Sequence, residues 1–413
     1  MKKFLVFGLI LAIAGGAFAQ SFTIGGGIST GLSVEFDSES DVVARMRNPG
    51  THNGIRLDLT GAAVNALDTV GANFTLRWDH IALVGWSGNH RDDGGATISF
   101  LPTVRRANVW VALVPGFMRL SLGIGGPGGF GTLGPINNSL KVAEGDMNVT
   151  MLINPVPQVT IGATLGLPPV RGVGGEYEDY GSIFNFDVMK NVLLSTGVVV
   201  NLPSAIDFVF NVQYQLPNKK PDPTDPTWEA EEGKFSLAAG FDFLALRIVT
   251  FAFDAEFLDV TGDGNLNLGQ SIKFNFGDFG ATLNARQYFN MDTSEDGPVL
   301  LFDANVQYTF GQVTPRLGLG YGFNTSQPND YDADPFRYGN LFYDELRPAS
   351  AFVKKASNPD EPWRALIINP NVLFNFGASD LEVGFSMYWD GNPRGESNYT
   401  TFNAIYFAYK YNF

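Results

Sequence analysis

The sequence predicts an all-β chain: one antiparallel transmembrane β-barrel of about 18 strands, with 16 as the alternative count. Three observations predict it. Apolar and polar residues alternate through most of the chain, and no stretch sustains a period of 3.6. The connections between apolar-faced segments alternate strictly between long and short. The chain also finishes on a strand that is aromatic along one face, an edge that a soluble protein rarely leaves bare.

The segments support this in order. Met1-Lys2-Lys3, the apolar run Phe4–Ala14 and Ala17-Phe18-Ala19 have the positive tip, apolar middle and small-residue cleavage site of a secretory signal peptide. The expected domains are therefore a signal peptide over residues 1–19 and one barrel over residues 20–413. The apolar run is too short to span a bilayer, and no later stretch offers eighteen consecutive apolar residues. The first strand is expected over Ser21–Asp37, with Phe22, Ile24, Ile28, Leu32, Val34 and Phe36 on one face.

Long polar connections follow at about Ser38–Gly54, His80–Arg106, Gly126–Gly145, Pro169–Ile183, Pro217–Lys234, Asp259–Asn265, Asn290–Pro298, Asn324–Arg364 and Asp390–Asn398. Short ones fall near Asp68–Val70, Pro115–Gly116, Asn154–Gln158, Pro203–Asp207, Leu244–Arg247, Gly277–Gly280, Gly311–Pro315 and Gly377–Asp380. Nine long and eight short connections imply eighteen strands with both ends on the short-turn side. A transmembrane barrel sorts its connections in this way, with short periplasmic turns and longer outer loops.

Charge placement gives an independent reason. With the apolar row of each segment facing lipid, the charged residues fall on the opposite row. Arg56, Asp58, Arg77, Asp79, Arg119, Asp242, Asp254, Glu256, Lys273, Arg286, Asp303 and Glu382 are the expected pore-lining residues. A Lys or Arg facing lipid at the midplane costs on the order of 2–4 kcal/mol, so a barrel segregates charge inward. Arg56, Arg77 and Arg119, among Asp58 and Asp79, fit either a transverse field that orders polar solutes or simply a wet wall.

Composition agrees. The chain has 48 Gly, 35 Phe and 14 Tyr with 17% charged residues and no Cys, which excludes disulfides and thiolate metal sites. Without Lys2 and Lys3 the basic count falls from 27 to 25 against 42 acidic residues, a formal charge of −17 that argues against nucleic acid as a partner.

At the end of the chain Phe407, Tyr409, Tyr411 and Phe413 share one face. This pattern resembles the C-terminal assembly signal of bacterial outer-membrane β-barrels, which implies the barrel assembly machinery as a partner. A second resemblance lies further upstream. Arg106-Ala107-Asn108-Val109-Trp110-Val111-Ala112-Leu113, the Pro115-Gly116 turn and Phe117-Met118-Arg119-Leu120-Ser121-Leu122-Gly123 resemble a hairpin of general porins. In overall style the chain is also similar to porins of spirochaetes. In that family the third outer loop folds into the pore. The resemblance implies that Gly126–Gly145, beginning with the glycine-rich run Gly125-Gly126-Pro127-Gly128-Gly129-Phe130-Gly131, is this constriction loop and brings Glu144 toward the lumen, although the family's usual acidic residue in the bend is missing here. A solvated surface loop is the competing reading of the same residues. Porins of this kind are often homo-trimers.

Asp259, Thr261, Asp263 and Asn265 are spaced like calcium ligands, but position twelve of the loop is Gln270, and a hairpin connection accounts for them better. No nucleophile elbow, zinc-protease or phosphate-loop motif is present in context. His52, His90, Asp92 and Asp93 read as solvated loop residues. The expectation is a non-enzymatic, cofactor-free diffusion channel in outer-membrane lipid, passing small hydrophilic solutes. A substrate-selective transporter of sugars, acids or hydrophobic compounds and an adhesin or structural barrel are the alternatives.

Overall fold

A computed structural model of the chain describes residues 19–37, 42–47, 55–81, 103–124, 130, 147–167, 192–217, 233–246, 248–262, 264–291, 298–324, 364–390 and 401–413. Every element among them is a strand. The chain opens with β1 (Ala19–Asp37), β2 (Val42–Arg47), β3 (Ile55–Asn65), β4 (Val70–Ile81), β5 (Thr103–Val114), β6 (Met118–Ile124) and β7 (Met147–Val156). It continues through β8 (Val159–Leu167), β9 (Leu193–Leu202), β10 (Ile206–Gln215), β11 (Lys234–Phe243), β12 (Val249–Leu258) and β13 (Asn265–Phe276). The last six are β14 (Phe279–Asn290), β15 (Val299–Tyr308), β16 (Val313–Asn324), β17 (Arg364–Asn375), β18 (Ser379–Asp390) and β19 (Thr401–Asn412).

Apart from β2 and β3, each strand pairs antiparallel with its sequence neighbours, and β1 pairs with β19, so the sheet closes on itself. The nineteen segments fill eighteen places. β2 and β3 both pair with β1, the first through Phe36–Gly31 and the second through Ser29–Ala19, and together they fill one place in the sheet. The fold is therefore the expected 18-stranded antiparallel barrel, with one adjustment. Val42–Arg47, expected within a long connection, extends the wall.

Following the pairing once around the barrel returns to β1 displaced by about 22 residues. With strands about 4.7 Å apart and a rise of about 3.3 Å per residue, that stagger tilts the strands by roughly 40° and sets a backbone radius of about 18 Å. Side chains standing about 6 Å off such a wall leave a lumen roughly 24 Å wide. Hairpin chemistry holds the short-turn end. Asp68, Gly116, Ser204, Gly277, Gly311 and Gly377 take positive φ in turns between neighbouring strands.

Burial is inverted relative to a soluble protein. Among the most buried side chains are Arg286, Glu382, Asp254 and Asn369, each 0% exposed, whereas Leu283, Phe302, Val306, Phe385 and Phe407 are all exposed. Polar groups thus lie inside and apolar groups outside. That arrangement is stable only against lipid, because an apolar outer wall of this extent in water is an aggregation surface. Aromatic residues gather near the short turns, where Phe276, Phe279, Tyr308, Phe310, Phe376, Tyr411 and Phe413 form part of an interfacial girdle. Tyr308 and Phe310 pack at a tilt, with ring centroids 4.5 Å apart.

The seam depends on the last residue. The Gly26 N–H donates to the Phe413 carbonyl at 2.9 Å, and the Phe413 N–H donates back to the Gly26 carbonyl at 3.0 Å. A Cβ on Gly26 would stand 2.8 Å from the Phe413 ring and 2.3 Å from the Asp58 carbonyl oxygen. The final aromatic residue therefore sits in a notch that only glycine leaves open.

Candidate functional site: the inner wall

Because successive strand residues point to opposite faces, the register assigns every second residue to the lumen row. Ser29 pairs with Arg56, Asp58 with Arg77, Asp207 with Asp242, Asp242 with Ala252, and Lys410 with Ser29, which links the row around the closed sheet. Arg56, Asp58, Arg77, Arg119, Asp242, Asp254, Glu256, Lys273, Arg286, Asp303 and Glu382 all occupy it. Asp79 lies within β4, and Glu144 lies outside the described residues.

Three polar groupings line this row. On β3 and β4, Asp58 sits between two guanidinium groups, accepting from Arg56 Nε at 2.9 Å and from Arg77 Nε at 2.8 Å. Arg106 on β5 pairs with Thr75 and adds a third arginine to the same wall. Near the short-turn end, the Arg119 guanidinium stacks 3.9 Å from the centre of the Trp110 ring.

The second grouping is acidic. Asp207 and Asp242 face each other across β10 and β11, and Asp254 and Glu256 follow on β12. Glu256 accepts an amide hydrogen from Asn267 at 3.2 Å. β3 and β12 are nine places apart in an eighteen-strand ring, so the arginines stand opposite Asp254 and Glu256, whereas Asp207 and Asp242 lie beside the short turns β9–β10 and β11–β12.

The third grouping, on β14–β19, is a packed polar layer. Arg286 Nη2 donates to Asp303 at 2.8 Å, with both side chains buried, and Asn284 donates to the other Asp303 oxygen at 2.8 Å. Glu382 accepts from Tyr406 Oη at 2.8 Å, and Arg316 approaches it at 3.6 Å. Tyr406 lies flat over Gly384, whose added Cβ would stand 2.4 Å from the phenol oxygen.

One residue of the third long connection reaches the wall. Phe130 is 2% exposed and packs with Leu152, Val199 and Val209, and its carbonyl accepts a hydrogen bond from the Asn211 side-chain amide. All four wall partners are on the lumen row. The connection expected to fold inward thus has a described point of contact inside the barrel.

The calcium-spaced residues are arranged as a tight connection. Asp259, at φ 49°, lies 3.9 Å from Lys234 Nζ and accepts from Thr261 Oγ1 at 3.4 Å, while Asn265 opens β13 on the ladder. Asp263 lies outside the described residues, as do His52, His90, Asp92 and Asp93. Phe407, Tyr409, Tyr411 and Phe413 lie on the outer row of the closing edge.

Sequence reasoning missed Arg106, Asp207, Arg316 and Phe130. The first two were assigned to connections, and Arg316 follows Pro315 at the edge of a turn. Phe130, the lone aromatic of a glycine-rich run, was a signal that could have been read.

A family model described as Gram-negative porin matches residues 7–340. No curated protein sequence matches significantly. Among solved structures, the anion-selective porin from Comamonas acidovorans is 12% identical, with a TM-score of 0.43, 95% of this chain and 99% of that chain covered. A mutant of the Rh. blastica porin is 13% identical, with a TM-score of 0.42 and coverage of 95% and 100%. A loop-deletion mutant of OmpT, an outer membrane protein of Vibrio cholerae, is 10% identical, with a TM-score of 0.43 and coverage of 95% and 99%.

Proposed function

Because the chain belongs to the Gram-negative porin family, we propose that it is an outer-membrane channel for the passive diffusion of small hydrophilic solutes. The observation that carries this reading is the largely polar row inside a closed barrel whose outer row is apolar. Such a wall keeps water in the passage and replaces part of a solute's hydration as it moves through.

Selection follows from charge and width. Arg56, Arg77 and Arg106 on one wall and Asp254 and Glu256 on the other create a field across the passage, and Asp207 and Asp242 add negative charge at its short-turn end. A dipolar solute such as an amino acid or a sugar with oriented hydroxyls lines up in this field, whereas an apolar solute must displace ordered water and gains nothing from it. No bond is made or broken, so the reading calls for no catalytic residue and no cofactor.

Export through the signal peptide of residues 1–19, insertion by the barrel assembly machinery through the Phe407–Phe413 pattern, and a homo-trimer belong to the same reading. The last is tested by crosslinking in detergent. Liposome swelling tests the function itself. Vesicles carrying the refolded protein should swell in small sugars and amino acids, at rates that fall steeply with solute size. Vesicles that swell no faster than protein-free controls would refute the channel.

A further inference from the structure

Arg119 differs from Arg56, Arg77 and Arg286 in what holds it. Arg56 and Arg77 both donate to Asp58, and Arg286 donates to Asp303. Among the described residues Arg119 makes neither a hydrogen bond nor an ion pair, and its Nε is buried without a partner. The acid whose charge reaches it, Asp68 in the β3–β4 turn, forms no ion pair with it. Its partners across β5 and β7 are Ala112 and Leu152, whose side chains offer its N–H groups no acceptor.

An aromatic ring holds it instead. Arg119 is the diagonal neighbour of Trp110 across β5 and β6, and its guanidinium lies 3.9 Å from the ring centre. Trp110 is pinned in turn. It is 9% exposed and lies over Gly71 of β4, where an added Cβ would stand 2.5 Å from the ring. Gly71, Trp110 and Arg119 therefore form a stack at the short-turn end, where β6 begins at Met118. Stacking engages the flat face of a guanidinium and leaves its edge, a rigid fork of N–H donors, for an acceptor. Arg119 is only partly buried, so a solute in the lumen reaches it.

We infer that Arg119, held flat on Trp110, is a docking point at the short-turn mouth for the carboxylate or phosphate group of a passing solute. The inference rests on the porin reading above and names a solute class for it. Both groups present paired oxygens that match the fork and accept charge-assisted hydrogen bonds from it. The ring has already removed much of the side chain's freedom, so docking costs less ordering than it would at a loose arginine.

The test uses three solutes of similar size: gluconate, glucose 6-phosphate and neutral glucose. Each is titrated onto single channels of the refolded protein in KCl. A solute lodged at Arg119 obstructs the ion path, so the two anions should lower the current saturably at concentrations where glucose has no effect. Which anion acts at the lower concentration tells carboxylate from phosphate. Variants are first shown to run as the folded band on an unheated gel. Arg119→Gln should raise the half-blocking concentration about ten-fold, through loss of charge-assisted hydrogen bonds. Arg119→Lys keeps the charge but neither stacks flat nor presents the fork. It should raise the half-blocking concentration nearly as far while the reversal potential in a KCl gradient stays close to wild type. Trp110→Leu keeps the arginine without its platform and should weaken the block about three-fold.

Block by glucose as strong as by the anions would overturn the docking point, as would an Arg119→Gln channel blocked like wild type. An Arg119→Lys channel blocked like wild type would reduce the site to a loose charge and overturn it too. A wild-type protein that gives no channels would refute the porin reading, and fluorescence in detergent would then decide the docking point. Trp110 is one of six tryptophans, so its signal is the difference between wild type and Trp110→Phe. That signal should shift saturably with gluconate or glucose 6-phosphate and not with glucose; no shift with either anion would overturn the inference.

Discussion

Replacing Gly26 with alanine tests how the barrel closes. The added Cβ would lie 2.3 Å from the Asp58 carbonyl oxygen and 2.8 Å from the Phe413 ring. An ordinary contact needs more than 3 Å, so the seam must open by close to an ångström. Overpacking of this kind costs about 1–3 kcal/mol. The opening also strains the two Gly26–Phe413 backbone bonds of 2.9 and 3.0 Å, and each contributes about 1 kcal/mol. Together the loss is about 2–5 kcal/mol, enough to disfavour closure in a marginally stable barrel. Urea unfolding in detergent, followed by fluorescence of the six tryptophans and by the folded band on gels, measures it. Gly166→Ala is the control, because its Cβ would meet Leu193 at an ordinary 3.4 Å. Phe413→Ala in the Gly26→Ala background should rescue only partly, since the clash with the Asp58 backbone remains. A Gly26→Ala protein as stable as the Gly166→Ala control would refute the seam geometry.

Other expectations follow from the inner wall. Asp58→Asn removes an acid that offsets Arg56 and Arg77 at 2.9 and 2.8 Å, so the reversal potential under a salt gradient should move toward anions, and Arg77→Ala should move it toward cations. Arg286→Met alone should destabilise by about 3–5 kcal/mol because it strands the buried Asp303 charge, whereas Arg286→Met with Asp303→Leu should cost much less; a double variant as unstable as the single would contradict the pairing. Tyr406→Phe removes the donor to Glu382 at 2.8 Å and should cost about 1.5–3 kcal/mol in the same urea assay.

Alternation made the barrel legible, since a row such as Phe407, Tyr409, Tyr411, Phe413 has one meaning in a strand that must face lipid. It also placed Arg56, Asp254 and Glu382 on the lumen row, because parity needs only a nearby apolar neighbour. The second strand was harder. Val42–Arg47 is short and lies in a polar stretch, and only its pairing with Phe36–Gly31 shows that it belongs to the wall. Pairs that depend on register were out of reach as well. Nothing in the spacing of Asp207 and Asp242, 35 residues apart, says that they face each other. The contact of Phe130 was hidden for a similar reason. Leu152, Val199 and Val209 look like routine strand residues until the sheet brings them side by side.

A cysteine scan across β14 and β15 tests the central claim most directly, because the chain contains no cysteine of its own. Thr282, Asn305 and Gln307 are on the lumen row, while Leu283, Phe302 and Val306 are exposed on the outer one. With the protein in vesicles, single cysteines at the first three positions should react with a charged, water-soluble thiol reagent, and those at the other three only with a lipid-soluble one. Uniform reactivity, or the opposite alternation, would contradict a wet interior inside a lipid-facing wall.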